Sequence, residues 1–399
     1  GHSFPTRRSS DLGATLEAGD LSYQDRLYLG DGEGDLLREF DSELSETATS
    51  TGAVAMADFD GDGFPDLFVG GGTVPGRYPE TVASALWRGL PDGGFERAGP
   101  EAAPGLAGVG RVADAVWTRL DADDDPDLVV VPEWGAPQFW RNEDGRLALE
   151  EHAFGGDARA GLWSAVATGD FNGDGRTDVA AGNLGLNTGG LWLAERGPRR
   201  LWWREDAFGI RLIETHMEDG AEWPLAWRDR LEDAIPGRVA RARSYTDYAE
   251  KTAGALFGDL EKHGYRRLEI TEARSGIFWQ EADGSFTFAP LPAFVQSGRV
   301  VSFLARDVDR DGRTDLLASL ATPSPVPWTG RADWGHVAMV RGDAERRLEA
   351  WLPERSGIKI GPHSPLSLLW EDFNGDGENE LLVVRSGATP LVFRPSNLR

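Results

Sequence analysis

DFDGDGFPDL, residues Asp58 to Leu67, sets carboxylates two residues apart around glycines and then runs into an apolar segment. The same pattern returns as RLDADDDPDL (Arg119 to Leu128), DFNGDGRTDV (Asp170 to Val179), DVDRDGRTDL (Asp307 to Leu316) and DFNGDGENEL (Asp372 to Leu381). Carboxylates recur at loop positions 1, 3, 5 and 9, usually with Gly at position 6. A hard cation takes roughly six to eight oxygens at about 2.3–2.6 Å, and alternate Asp side chains on a tight turn supply them. Glycine lets the backbone turn sharply enough for a main-chain carbonyl to join the shell. The spacing therefore predicts calcium loops, and their recurrence predicts an internal repeat.

Working outward, each loop lies between strand-like segments. GAVAMA (Gly52 to Ala57) precedes the first loop, and DLFVGGG, DLVVVPEW and ELLVVRSG follow the first, second and last. Short Val- and Leu-rich runs bounded by Asp and Gly read as buried strands. Three aromatic segments with a DG turn read as β-hairpins: LWRGLPDGGFERA (Leu86 to Ala98), FWRNEDGRLALE (Phe139 to Glu150) and IFWQEADGSFTFAP (Ile277 to Pro290). One unit is thus strand, metal loop, strand and outer hairpin, which is the four-stranded blade of a propeller. LWWREDAFGIRL (Leu201 to Leu212) reads as an eroded sixth loop. LYLGDGEGDLLRE (Leu27 to Glu39) reads as a hairpin without a loop, and the last loop has no hairpin after it. Those two fragments are expected to complete one blade and close the ring, removing its edges. The expected fold is all-β: a single β-propeller over residues 13–399, with six or seven four-stranded blades, calcium loops and a small helical insertion.

HSFPTRRSSDL (His2 to Leu12) resembles the translation of a sequencing-library adapter, so residues 1–12 are set aside as an artefact. On that reading the natural N-terminus is missing, and the lack of a visible signal peptide says nothing about secretion. The net charge of −25 disfavours nucleic acid, which needs a basic footprint. Crowded carboxylates repel unless a divalent ion sits among them, so the charge itself argues for bound metal. With no cysteine, disulfides and thiolate metal sites are excluded. No apolar run is long enough to span a bilayer as a helix.

Residues 221–264 break the strand pattern. WPLAWRDRLEDAIPG (Trp223 to Gly237) and SYTDYAEKTAGALFG (Ser244 to Gly258) look helical, separated by the basic VARARS. Thr246 is the expected N-cap, Tyr248, Thr252 and Leu256 share a face, and Gly258 ends the helix. Such an insertion serves either a specific function or as a packing cap. The 15 Trp suit blade-to-blade packing, with Trp134, Trp140, Trp202 and Trp203 as rim candidates. The few His show no metalloprotease or triad spacing, and no phosphate loop follows a strand. An RGD tripeptide stands at Arg341 to Asp343, a sequence that arises readily by chance.

The loops resemble the FG-GAP and VCBS repeats of integrin α-subunit propellers and bacterial surface proteins. A closer resemblance is to bacterial multi-repeat proteins with an ASPIC/UnbV domain, related to cartilage acidic protein. It rests on DLFVGGGTVPGRYPE (Asp66 to Glu80), VADAVWTRLDADDDPDLVVVPEW (Val112 to Trp134), VATGDFNGDGRTDVAAGNLGLNT (Val166 to Thr188), WPLAWRDRL and YTDYAEKTAGALFG. The resemblance implies calcium binding and an extracellular, periplasmic or outer-surface location. It also implies the ligand sets. The first loop would use Asp58, Asp60, Asp62 and Asp66 with the Phe64 carbonyl; the third Asp170, Asn172, Asp174 and Asp178 with that of Arg176. The fourth would use Asp307, Asp309, Asp311 and Asp315 with the Arg313 carbonyl; the last Asp372, Asn374, Asp376 and Glu380 with that of Glu378. About four structural calcium ions follow. In the second loop Arg119 replaces the first ligand and Asp124 the glycine, so Asp121, Asp123 and Asp127 are expected to hold no calcium or only weak calcium. The eroded loop near Glu205 and Asp206 is expected to be empty as well.

The function expected from these features is a non-enzymatic, calcium-binding surface propeller that binds a protein or glycan. The alternative is a carbohydrate-active enzyme, such as a polysaccharide lyase, on a propeller scaffold. Fold alone does not choose between them.

Overall fold

The computed structural model describes residues 25–30, 35–39, 44, 50–154, 158–186, 197–207, 209–229, 231, 242–308, 310–321, 335–361 and 363–394. The expected artefact at residues 1–12, the first half of the basic VARARS segment (239–241) and Asp309 all lie outside the described residues.

Five antiparallel sheets follow one another along the chain, each built around one acidic loop. The first comprises Thr51–Ala57, Asp66–Gly71, Ala85–Gly89 and Phe95–Arg97. The second comprises Arg111–Thr118, Asp127–Gly135, Gln138–Asn142 and Leu147–Leu149, with Gly161–Leu162 added beside the long strand. The third joins Ala165–Gly169 and Asp178–Gly182 to Gly276–Gln280 and Phe286–Pro290. The fourth is Arg299–Arg306, Asp315–Ala321, Gly335–Gly342 and Leu348–Trp351; the fifth is Pro365–Glu371, Glu380–Arg385 and Ala388–Phe393. In every sheet the loop joins the first two strands, so the repeat read from sequence is a real structural unit.

The sheets stack in series through their opening strands. Apolar clusters fill the gaps between them. Phe59, Phe68, Leu128 and Trp140 pack between the first and second sheets; Phe139, Trp163, Val179 and Phe278 between the second and third. Phe171, Trp279, Val300 and Leu316 join the third and fourth, and Leu317, Met339, Ile358 and Leu381 the fourth and fifth. In the inner sheets the second strand is thus buried on both faces. Leu128 and Val130 face one neighbour while Val129 and Val131 face the other, which is why its sequence is an unbroken apolar run. Close approach needs small residues: a Cβ on Gly52 would sit 1.9 Å from the Val112 carbonyl oxygen.

Three expectations need correction. LWWREDAFGIRL is not an eroded loop. It spans a hairpin, Arg199–Asp206 with Gly209–Glu218, inside a separate four-stranded sheet completed by Ala221–Pro224 and Arg266–Ile270. The hairpin Ile277 to Pro290 belongs to the third loop's own sheet, so a long segment between Gly182 and Gly276 interrupts that blade. The insertion is therefore larger than residues 221–264 and is led by strands, Trp223 among them. Its described helices are short, Tyr245–Ala249 and Ala253–Phe257. Ser244, not Thr246, caps the first, and Thr252 caps the second instead of sharing a face with Tyr248 and Leu256. Gly258 does end the second, at φ 76. Tyr248, Leu256, Phe257, Trp202 and Ile213 give this insertion a core of its own.

Leu27–Gly30 and Leu36–Glu39 do form a hairpin, and Leu27 and Leu29 pack against Leu67 and Phe95 of the first sheet. Among the described residues that hairpin pairs only with itself, and the fifth sheet has three strands. The expected closure through these two ends, and a count of six or seven blades, is therefore not seen among the described residues. The observed arrangement is all-β, with multiple four-stranded antiparallel sheets and few helices.

Candidate metal centre

The last carboxylate of each loop, placed by sequence among metal ligands, is also a structural anchor. Asp66 is fully buried and its two oxygens accept from the Phe59 and Gly89 backbone N–H groups at 2.9 and 2.7 Å. Asp127 accepts from Leu120 and Asn142 at 2.6 and 2.8 Å, and Asp178 from Phe171 and Gln280 at 3.2 and 2.9 Å. Asp315 accepts from Val308 N–H and from the Arg341 guanidinium, at 3.0 and 3.2 Å. One carboxylate thereby ties the loop's second residue to the third strand, satisfying donors that burial would otherwise orphan. Burial pushes the Asp66 carboxyl up to about 6 and that of Asp178 to about 7, against the pull of those N–H donors. Glu380 is one methylene longer; it accepts from Phe373 N–H at 3.1 Å and from the Asn374 side-chain amide.

The first carboxylate organises the turn. Asp170 accepts from Gly173, Asp174 and Gly175, and Asp372 from Gly375, Asp376 and Gly377 in the same way. Asp307 takes Asp311 and Gly312, and Asp58 takes Gly63. Positions 4 and 6 adopt positive φ, as at Gly61 and Gly63 (74° and 90°); in the fourth loop Arg310 occupies position 4 at 62°. The donors hold the Asp372 carboxyl below its ordinary range.

What distinguishes the loops is the fate of the remaining oxygens. Asp58, Asp60 and Asp66 each bring one oxygen to within 4.8 Å of the others. Two oxygens bound at about 2.4 Å to one ion stand at most about 4.8 Å apart, so the spacing fits calcium. One oxygen of Asp58 and one of Asp60 are buried without a hydrogen-bond partner among the described residues. Buried anionic oxygen with no donor is costly, and a cation relieves it. The Asp60 second oxygen meets Arg88 at 2.9 Å. Asp62 stands apart, capping Phe64 N–H at 2.8 Å.

In the second, third and fourth loops arginines occupy some of the oxygens. Arg176 pairs with Asp174, and Arg313 and Arg341 both pair with Asp311. Asn172 turns its amide to Asp174 at 2.8 Å. In the second loop Arg119 does reach Asp124, at 3.2 Å, but both side chains are exposed. The stronger partner is Arg141, 2.6 Å from Asp121, a residue the sequence reading did not single out. Arg341 of the RGD tripeptide is committed to Asp311 and Asp315, and Asp343 to Arg347. Glu205 and Asp206, expected to be an empty loop, pair with Arg77 and Arg211.

Sequence reading also missed a latch between sheets. Asn142 donates its side-chain amide to the Phe59 carbonyl of the preceding loop at 2.7 Å, and Gln280 does the same to Leu120 at 2.6 Å. The available signal was a lone amide closing an aromatic strand before a DG turn, in FWRN and IFWQ.

A family model, FG-GAP-like repeat, matches residues 12–69, 119–181 and 270–318. The chain carries FG-GAP-like repeats at these three places. The matches take in the first four acidic loops and do not extend to an ASPIC/UnbV resemblance. No curated protein matches the chain. Among solved structures, the periplasmic gluconolactonase of Pseudomonas aeruginosa is similar at TM-score 0.35 and 14% identity, over 94% of this chain and 89% of that one. A V. cholerae biofilm matrix protein is similar at TM-score 0.21 and 12% identity, over 94% of this chain and 66% of that one. The first of these corrects the expectation that the chain is not an enzyme. The lack of a recognised catalytic motif in the sequence does not by itself establish the absence of catalysis. Likeness at this distance carries no reaction or substrate to the present chain. Among the described residues, no helix is long and apolar enough to cross a membrane.

Proposed function

We propose that this chain is a calcium-binding β-propeller module that works outside the cytoplasm and presents its surface to a protein or glycan. The observation carrying the calcium reading is the first loop. There, three carboxylates converge at ion-compatible spacing and two of their buried oxygens lack any donor. Asp58, Asp60 and Asp66 would hold the ion, which would neutralise the cluster and pin the turn. The third and fifth loops share the glycine turn and are further candidates. In the fourth, Arg341 and Arg313 already compensate Asp311. Millimolar calcium, found outside cells, fills even modest sites, and an ion bound only by the native state stabilises it by mass action. The serial sheets with FG-GAP-like repeats support the propeller reading.

The test is metal counting on the dialysed protein, with thermal unfolding in calcium and in excess EGTA. At least one ion per chain and a clear fall in Tm with EGTA are expected. No bound calcium and no shift would overturn the calcium reading.

A further inference from the structure

Between the first sheet, the second sheet and the inserted sheet lies a cavity of about 440 Å³ that no acidic loop enters. Tyr78, Glu80, Glu133, Trp134, Trp203 and Arg266 are among its lining residues. Trp134 stands in the left-handed region at φ 60, a conformation costing a bulky side chain on the order of 1–3 kcal/mol. Its indole N–H donates to the Tyr78 hydroxyl at 2.5 Å, so two half-buried rings, one closing a strand of the second sheet and one from a turn of the first sheet's connection, are fixed against each other. Across the cavity the inserted sheet supplies Arg266, whose guanidinium lies 3.6 Å from the Trp203 ring centroid. Stacking fixes the plane of the guanidinium fork. Its side chain is 64% exposed, and its nearest carboxylate, Glu80 at 3.9 Å, already accepts two hydrogen bonds from Arg77. Arg111, by contrast, is paired with Glu133.

We propose that this cavity binds a pyranose sugar bearing a carboxylate. The C–H face of such a ring packs on aromatic side chains, as Tyr78 and Trp134 provide. Its hydroxyls donate to the carboxylates of Glu80 and Glu133, and its carboxylate takes the Arg266 fork, the geometry for which guanidinium is suited. A phosphate dianion fits less well, because two carboxylates line the same space. The inference deepens the binding reading above and uses none of the calcium-loop residues.

The experiment is titration calorimetry of the full chain with hexagalacturonate, and with cellohexaose as the neutral control. The expected result is saturable binding of hexagalacturonate, weakened by about tenfold or more in Arg266→Ala. Trp134→Gly is expected to abolish the aromatic contact; relief of the φ 60 strain offsets part of the packing on Ile270 and Ala273 and the hydrogen bond to Tyr78 that are lost, and the Tm of the variant confirms that it stays folded at the titration temperature. Two results would overturn the proposal: no binding of hexagalacturonate at millimolar concentration, or equal binding of both sugars that neither variant changes. Metal counting on the same samples separates the readings. Sugar binding without calcium would sink the calcium loops and leave this pocket standing, and the converse would do the reverse.

Discussion

The first and second acidic loops end alike and differ in the middle. Both close on a buried aspartate, Asp66 or Asp127, that accepts one N–H from the loop and one from the third strand. Between those anchors the first loop passes through two glycines at positive φ and brings three carboxylates together. The second has Ala122 and Asp124 at those positions, neither with positive φ, and Arg141 sits on Asp121. An anchor and an ion cradle are therefore separable properties of one ten-residue pattern. The anchor is present in the second loop without the carboxylate cluster, so it ties loop to sheet on its own. In the first loop the cradle adds a first carboxylate, glycines for the turn, and two buried oxygens left without a donor among the described residues.

The largest effect should fall on the shared anchor. Asp66→Ala and Asp127→Ala each orphan two buried backbone donors, and each is expected to cost about 3 kcal/mol in excess EGTA; in calcium Asp66→Ala should cost more, because Asp66 is also an ion ligand on the reading above, and Asp127→Ala should not. Chemical denaturation of both variants checks this. A calcium-dependent loss at Asp127 would break the comparison, because it would make the second loop an ion site too.

Next in size is the calcium response itself. Calcium at about one hundred times its dissociation constant adds roughly 2.7 kcal/mol to the native state. Asp60→Asn is expected to remove the first loop's share of the EGTA-sensitive Tm shift, while Asp121→Asn leaves the shift intact. Metal counting on both variants gives the same answer independently: one ion fewer in the first and no change in the second.

A smaller effect tests whether arginine substitutes for the ion. Arg141→Ala leaves Asp121, Asp123, Asp125 and Asp127 crowded without that guanidinium. The expected result is a second loop that becomes calcium-responsive by about 1 kcal/mol, read as a larger Tm gap between calcium and EGTA than in the parent. An unchanged gap would show that the missing glycines, not the arginine, empty this loop.

The anchors and the cradle were not equally legible. Position and spacing of the loop carboxylates could be read because alternation along one short turn is local; the burial of the last one, which makes it an anchor, could not. The apolar runs after each loop gave the second strands for the same reason. Arg141, Arg341 and the Asn142 latch could not be read, since each acts on a loop separated from it by a strand or by a whole sheet. The inserted sheet misled for a related reason: an acidic pair beside aromatic strands, Glu205 and Asp206, has the composition of a loop. Its partners, Arg77 from the first sheet and Arg211 from the facing strand, are fixed by tertiary placement.

The smallest effect concerns a carboxylate whose charge is balanced by two arginines, with backbone N–H donors beside them. Glu272 is buried where the insertion rejoins the third sheet, bonded by Arg274 at 2.7–2.8 Å and Arg159 at 2.9 Å. Burial pushes its carboxyl up, but the hydrogen bonds and charge of Arg274, with those of Arg159, outweigh this and hold it below the ordinary glutamate range. A depressed folded-state value means that the stabilisation is fully present above the unfolded glutamate value, about 4.3, and is lost as pH falls through the folded value. Between neutral pH and that region the contribution stays flat; on further acidification it disappears. Unlike the first loop, this loss is indifferent to EGTA. Comparing the acid limb of the stability curve for the parent and Glu272→Gln, each with and without calcium, isolates it: the variant should lose stability at neutral pH and show a shallower acid limb. An acid limb of equal slope in both would place the proton uptake elsewhere, in the loops themselves. The distinction between carboxylates compensated by arginine and those awaiting a cation would then have to be redrawn.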